Sequence, residues 1–383
     1  MPKLLALAVL LLQPGGPAPA IGDAPEADPG AYATEIVAEG LAQPYDVTFL
    51  TEGEGAGDVL ITERPGRLRV LRDGRLLDVG GVPSVHTGGQ AGLFEAFPHP
   101  GFAQNGLLYL TYAVGPKGAS TLALGRGRYV VTDEGATLEG FEELFRAAAP
   151  RTSDAHYGGR AAWLPDGTLL LTSGEAYGQR LRAQDLGSHL GKVLRLTEDG
   201  EAAPGNPFAG REGALPETYS LGHRNPQGIV RVGSRVFAHE HGPRGGDELN
   251  LIEAGANYGW PAASYGLDYS GAMMTPFATW EGTEQPLVQW TPSIAPSGLA
   301  YYDGAMFPRW RGQLLASALA HKHVRLIDPS DPTRQQELFG ELGMRVRDVS
   351  VAPDGAVWLA LETKTGDGGQ VVRVTSARGA ASD

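Results

Sequence analysis

The sequence predicts an all-β fold, a six-bladed β-propeller, and three observations predict it. No stretch after the first twenty residues keeps a 3.6-residue apolar period over three turns, so amphipathic helices are not indicated. Most of the chain consists instead of strand-length apolar runs, VLITER, LRVLR, LLYLTYA, GRYVVT, TLLLTS and KVLRLT, punctuated by Gly, Asp and Pro. Finally, six segments repeat one order: a polar cluster, a strand of small and apolar residues, a PDG-like turn, then a second apolar strand. They start at Gln43, Gly89, His156, Arg224, Ser293 and Arg345. The leading polar residues Gln90, His156, Arg224, Ser293 and Arg345 follow one another at 66, 68, 69 and 52 residues. Each unit is long enough for a four-stranded antiparallel sheet, and radial repetition of such sheets is the propeller. A sandwich pair gives no reason for six related units, and a β-helix has a much shorter repeat.

Taken in order, residues 1–20 read as a secretory leader, with Lys3 as the charged start, Leu4 to Leu12 as the apolar run and Ala18-Pro19-Ala20 as the cleavage site. The run is too short to span a bilayer. The expected location is therefore periplasmic or secreted. Residues 21–30 (IGDAPEADPG) read as a mobile linker, 31–377 as the propeller and 378–383 as a C-terminal tail. Phe141 to Ala149 is the best short helix candidate. Closing the ring needs the N-terminal run Ala33 to Leu41 to join the last unit beside Gln370 to Thr375. The chain has 383 residues, no cysteine and a net charge of −13, so disulfides are excluded and core packing, metal or cofactor must stabilise it. An acidic chain without basic tracts does not suit nucleic acid or an anionic membrane surface.

The propeller gives the polar clusters a meaning. The innermost strand of each blade lines the central channel, so residues just before each such strand converge on one mouth. Gln90, His156, Arg224 with Asn225, Ser293, and Arg345 with Arg347 should therefore ring one pocket. Three arginines there would receive a polyanion, since the guanidinium fork makes two parallel bonds to a carboxylate. One histidine is a general-base candidate because its ordinary pKa lies near working pH. Downstream, His241-Gly242-Pro243 with Asp247 and Glu248 offers turn carbonyls and carboxylates that suit a hard cation such as Ca²⁺. His239 and His241 share a strand face and could also form a transition-metal pair, but no third ligand is evident.

Between about Leu41 and Val374 the chain resembles the soluble pyrroloquinoline quinone-dependent aldose sugar dehydrogenases, the glucose/sorbosone dehydrogenase family. The motifs that carry the resemblance are GGQAGL, HYGGR, GHRNPQG, EHGPRGGDE and RVRD. It implies that His156 is the catalytic base, and that Gln90, Arg224, Asn225, His241, Ser293, Arg345 and Arg347 contact the quinone. A loop of Leu319, Ala320 and His321 adds further contacts. It also implies that Gly242 and Pro243 bind, through backbone carbonyls, a Ca²⁺ that bridges protein and quinone. Glu248, Tyr258 and Tyr269 fall where relatives bind structural Ca²⁺.

Three positions depart from the family pattern. Some members carry a lysine where Ala320 stands, and whether the nearby Lys322 replaces it is left open by the resemblance. Glu175 stands where an aspartate is usual. His241 replaces the glutamine of the glucose-specific branch and sides with the broad-specificity aldose branch. The resemblance implies oxidation of an aldose at C1 to a lactone, with His156 taking the hydroxyl proton and hydride passing to Ca²⁺-polarised quinone. Its partners would be the sugar and an external electron acceptor, a quinone or cytochrome, with the chain a monomer or homodimer. Selectivity would come from the loops Gly115 to Ser120, Tyr177 to Ser188 and Tyr265 to Thr283. A Ca²⁺-dependent lactonase-type propeller hydrolase and a non-catalytic binding propeller remain open alternatives. The first would want side-chain Asn, Asp and Glu ligands in the channel and would have no use for the arginines.

Overall fold

The structure, a computed structural model, describes residues 16–27 and 32–377. Most of the expected leader and all of the expected tail lie outside these residues. Strands dominate, in a propeller-like arrangement. Pro44–Phe49, Leu93–Pro98, Gly158–Trp163, Pro226–Val232, Pro296–Tyr302 and Arg345–Val351 each begin a ladder of four strands, sequential in all but the last. The first two ladders join edge to edge in one eight-stranded sheet, through a short parallel pairing of Gly135–Arg146 with Arg75–Gly80. Each ladder-opening strand packs against that of the next ladder, and Arg345–Val351 packs back on Pro44–Phe49, so the ring closes.

The last ladder takes its outermost strand from the start of the chain. Tyr32–Leu41 runs antiparallel to Gly369–Ser376, as the closure argument expects. Hydrophobic layers fill the space between neighbouring ladders. Phe94, Phe97 and Tyr109 of the second pack on Leu169, Leu171 and Leu194 of the third. Burying one such side chain is worth about 1.5–3 kcal/mol, so these layers are the main stabilising term. The opening strands crowd at the axis, and glycine is needed where they meet. A Cβ at Gly228 would overlap His239 and Leu299, and one at Gly298 would overlap Asp348.

Two expectations are corrected. Residues within Phe141 to Ala149 do not form a helix, because Gly135–Arg146 is a strand paired with Thr121–Thr132. Phe145 is buried while Glu142 and Glu143 reach out to Arg126 and Arg146, so cross-strand pairing overrides local helix propensity. The segment read as a mobile linker is docked where it is described. Ala20–Ile21 adds a parallel strand to Val288–Trp290, and Pro25 and Ala27 exchange backbone hydrogen bonds with Glu337. No helix among the described residues is long and apolar enough to cross a membrane.

Candidate active site

A cavity of about 420 Å³ opens at the mouth where the ladder-opening strands begin. It is lined by Gln90, Asn225, His241, Leu319, Arg345 and Arg347 of the sequence-predicted set, with Gln43, Tyr45, Arg64, Glu362 and Lys364 beside them. Four cationic side chains thus face it against one carboxylate. Glu362 binds both Arg345 and Arg347 at 3.0 Å. Against its burial, those two arginines hold the carboxyl below the usual range, so Glu362 stays charged and fixes the pair.

Contrary to expectation, His156 and Arg224 are not in the lining: Arg224 borders a small void shared with His241, and His156 is anchored beside the cavity through lining residues Gln90 and Tyr157. Its left-handed backbone (φ 56°) is held by Gln90 Oε1, which accepts from His156 N at 2.8 Å, and by Arg151 Nη1, which donates to the His156 carbonyl at 2.7 Å. The ring is buried, with Nδ1 2.8 Å from Glu175 Oε1. Among the described residues Nε2 has no partner. Burial first, then the Arg224, Arg151 and Arg180 charges, hold the imidazole well below its ordinary pKa, so it is neutral. Burial pushes Glu175 up to about 7. With Glu175 ionised, Nδ1–H donates to the carboxylate and Nε2 is left as the acceptor. The antiparallel register pairs Gly158 with Ser173, and continuing it brings Glu175 opposite His156.

Arg224 is 4 % exposed and lies over the Trp260 ring at 5.3 Å. Its Nη1 donates to the His241 carbonyl at 3.2 Å, and its Nε is buried without a partner. A buried donor of this kind has room for one more acceptor. Asn225 Oδ1 accepts from Gly158 N at 3.2 Å. His241 Nε2 donates to the Pro296 carbonyl at 2.6 Å, and burial followed by Arg224 holds the ring well below its ordinary pKa. His239 Nε2 likewise donates to a carbonyl, that of Ser297 at 3.2 Å, and among the described residues no group of three potential metal ligands forms around the two histidines.

At the adjoining turn, Asp247 Oδ1 accepts from Gly242 N at 2.9 Å. The carbonyl oxygens of Gly242 and Pro243 accept no hydrogen bond among the described residues, and a Cβ at Gly242 would overlap the Gly245 and Gly246 carbonyls. Ser293 does not line the cavity. Its hydroxyl donates to Asp247 Oδ2 at 2.6 Å, so it supports the turn. Among the described residues no group of three acidic or histidine side chains is placed to hold a metal, so a cation here would depend on backbone oxygens.

The remaining expected contacts divide. Leu319 lines the cavity and accepts from Arg345 Nη1 at 3.2 Å, whereas Ala320 and His321 are not in the lining. Lys322 is exposed and also absent from it, while Lys364 is present. Glu248 lies beside a separate small void with Glu240, and burial, then Glu240, keeps its carboxyl well above the usual range. Tyr258 uses its hydroxyl on the Leu251 carbonyl at 2.5 Å, and Tyr269 is exposed at the mouth beside Arg224. The structure does not gather these three into one cluster. Sequence reasoning missed Arg64, Glu362 and Lys364 and assigned Glu175 no role. The one signal that marks Glu175 and Glu362 is their place across the hairpin from a motif residue.

The axis is closed below the cavity. The Tyr45 ring lies between the Arg347 guanidinium at 5.2 Å and that of Arg160 at 4.8 Å. Beyond it a second cavity of about 840 Å³ is lined by residues of all the ladder-opening strands, among them Asp46, Glu95, Arg160 and Asp348. Arg160 bridges Asp46 at 2.9 Å and Asp348 at 3.0 Å. Burial, then Asp348, pushes Asp46 up to about 7.

Known proteins show the same architecture. The glucose/sorbosone dehydrogenase family matches residues 41–373. Aldose sugar dehydrogenase YliI of Escherichia coli K12 is 37 % identical over 351 residues, covering 89 % of this chain and 93 % of its own. The crystal structure of the soluble aldose sugar dehydrogenase from Escherichia coli, in the apo form, superposes with a TM-score of 0.83 at 35 % identity, covering 90 % of this chain and 99 % of that one. The PQQ-bound aldose sugar dehydrogenase from Streptomyces coelicolor gives a TM-score of 0.73 at 30 % identity, covering 91 % and 100 %.

Proposed function

Because this chain belongs to the glucose/sorbosone dehydrogenase family, we propose that it oxidises an aldose at C1 to the lactone, with pyrroloquinoline quinone and Ca²⁺ as cofactors. It is an oxidoreductase of the sugar dehydrogenase type. We read the ring as six blades, taking the eight-stranded sheet as two. The observation that carries the proposal is the pairing of a cation-lined cavity with a buried, neutral His156–Glu175 dyad at its edge. The residues fit a flat polycarboxylate: Arg345 and Arg347 stand fixed on Glu362, and the buried, unpaired Nε of Arg224 awaits an acceptor. Gly242 and Pro243 fit Ca²⁺, as a rigid turn whose carbonyls carry no amide donor.

When bound with Ca²⁺, the quinone supplies the hydride acceptor, and an external quinone or cytochrome reoxidises it. The protein supplies the proton acceptor. His156 Nε2 takes the C1 hydroxyl proton, and Glu175 holds the tautomer that exposes Nε2 and stabilises the imidazolium as it forms. Tyr177 stands edge-on to His156 at 5.3 Å and stacks on Tyr269 at 6.4 Å, so the sugar enters past an aromatic rim. The exposed Leu181, Met273 and Trp280 lie in the same two loops, which we take to set selectivity. We take the start of the chain as a leader removed on export to the periplasm or beyond, with the docked strand at Ala20–Ile21 kept.

Removal of Ca²⁺ should weaken quinone binding, because the turn carbonyls alone attract no carboxylate. Titration of the purified protein with quinone, in Ca²⁺ and in chelator, measures this. Equal affinity in both would exclude the assignment of Gly242 and Pro243.

A further inference from the structure

The cavity has a corner that none of the family motifs covers, and its geometry is that of a built anion site. Arg64 follows the strand Val59–Glu63, and the register that pairs Pro44 with Glu63 places it directly opposite Gln43. It thus occupies the position in the first ladder that Glu175 occupies in the third. Its backbone is clamped on both sides: Arg64 N donates to the Gln43 carbonyl at 3.0 Å, and its own carbonyl accepts from Leu93 N at 3.0 Å. Gly92 permits that approach, since a Cβ there would overlap the Arg64 carbonyl. The side chain is aimed by Nε, which donates to Gln43 Oε1 at 2.7 Å.

The two terminal nitrogens of Arg64 have no partner among the described residues, and no carboxylate pairs with this guanidinium. Burial, then the neighbouring Arg347, depresses its pKa against the pull of Glu362, so the cation is held beside other charges without a salt bridge of its own. The turn carrying Lys364 packs on the same Gln43. Gln43 N donates to the Gly366 carbonyl at 3.1 Å, and a Cβ at Gly366 would overlap the Gln43 amide. Lys364 lines the cavity on this side and has no partner either.

We propose that Arg64, aimed by Gln43 and assisted by Lys364, binds a carboxylate of the quinone separate from the one held by Arg345 and Arg347. The inference rests on the cofactor reading above. Arg345 and Arg347 are paired with Glu362, whereas no carboxylate among the described residues forms a salt bridge with Arg64 or Lys364. A ligand with several carboxylates would engage both groups of cations at once. Lys364 thereby takes the place of the lysine that some relatives carry at the position of Ala320.

The test is an equilibrium titration followed by quenching of tryptophan fluorescence, with pyrroloquinoline quinone and with its trimethyl ester, in Ca²⁺. A charge-assisted pair of bonds in a partly buried site predicts that Arg64→Ala weakens quinone binding about ten- to hundredfold. Arg64→Lys should restore part of that loss. Lys364→Ala, at an exposed position that cannot disturb folding, should weaken binding about two- to fivefold. Both variants should bind the ester as the wild type does. If the wild type binds quinone and Arg64→Ala and Lys364→Ala bind it equally well, the inference is wrong while the functional reading stands. If the wild type itself does not bind quinone, the functional reading fails. Should Arg64→Ala not fold, Lys364→Ala decides alone.

Discussion

Replacing His156 by alanine should lower turnover about 10²–10⁴-fold at saturating quinone, with quinone affinity little changed. On the proposed function Nε2 would make its decisive interaction only as the proton leaves the sugar, whereas the cation-lined cavity beside it would hold the cofactor throughout. The pH dependence separates the two members of the dyad. Glu175 titrates at about 7, raised from the ordinary carboxyl range by burial. As pH falls through that value the dyad takes up a proton, Nε2 no longer accepts, and turnover should fall with it. Glu175→Gln keeps an acceptor for Nδ1–H but removes this titration. Its acid limb should therefore move below pH 6.5, into the depressed range of His156 itself. Rate–pH profiles of the two proteins check this, and an unmoved limb in Glu175→Gln would remove Glu175 from the proton path.

The largest effect on stability is expected at Arg160. Its guanidinium ties three ladder-opening strands together through Asp46, Asp348 and the Tyr45 carbonyl, at 2.9, 3.0 and 3.1 Å. Removing one member of a buried ionic group leaves charge uncompensated, so Arg160→Met should cost about 3–5 kcal/mol. The sign of the pH dependence follows from Asp46. Its folded pKa of about 7 lies above the unfolded value, so the folded chain binds more protons between roughly pH 4 and 7. Stability therefore rises as pH falls through that window. Without Arg160 the carboxyls are pushed higher still, and the variant should be most impaired above neutrality. Calorimetric Tm values at pH 5.5 and 8 measure both, and an unchanged Tm at pH 8 would show that the network is not stabilising.

The repeat was legible because each unit opens on the same combination of polar cluster and apolar strand. Gln43, His156, Arg224, Ser293 and Arg345 all stand at or just before a strand that faces the axis. What escaped is the second line of each hairpin. Glu175 faces His156, Arg64 faces Gln43 and Glu362 pairs with Arg345, and each partner follows from strand register rather than from any motif. Register depends on turn length and on bulges, such as the one between Gly158 and Ala161, and these are not written in composition or spacing. Ser293 shows the converse failure. It stands at the right place in its repeat, but the carboxylate of Asp247 captures its hydroxyl before the cavity can.

The most direct test of the account is a single turnover without oxygen. Protein loaded with pyrroloquinoline quinone and Ca²⁺ is mixed with excess glucose or another aldose, and the absorbance of the oxidised quinone is followed. The account predicts that the band bleaches with one equivalent of lactone formed per quinone, and that His156→Ala slows the bleaching without reducing the amount of quinone bound. Full quinone occupancy with no bleaching by any aldose, together with lactone hydrolysis by protein that lacks quinone, would contradict it.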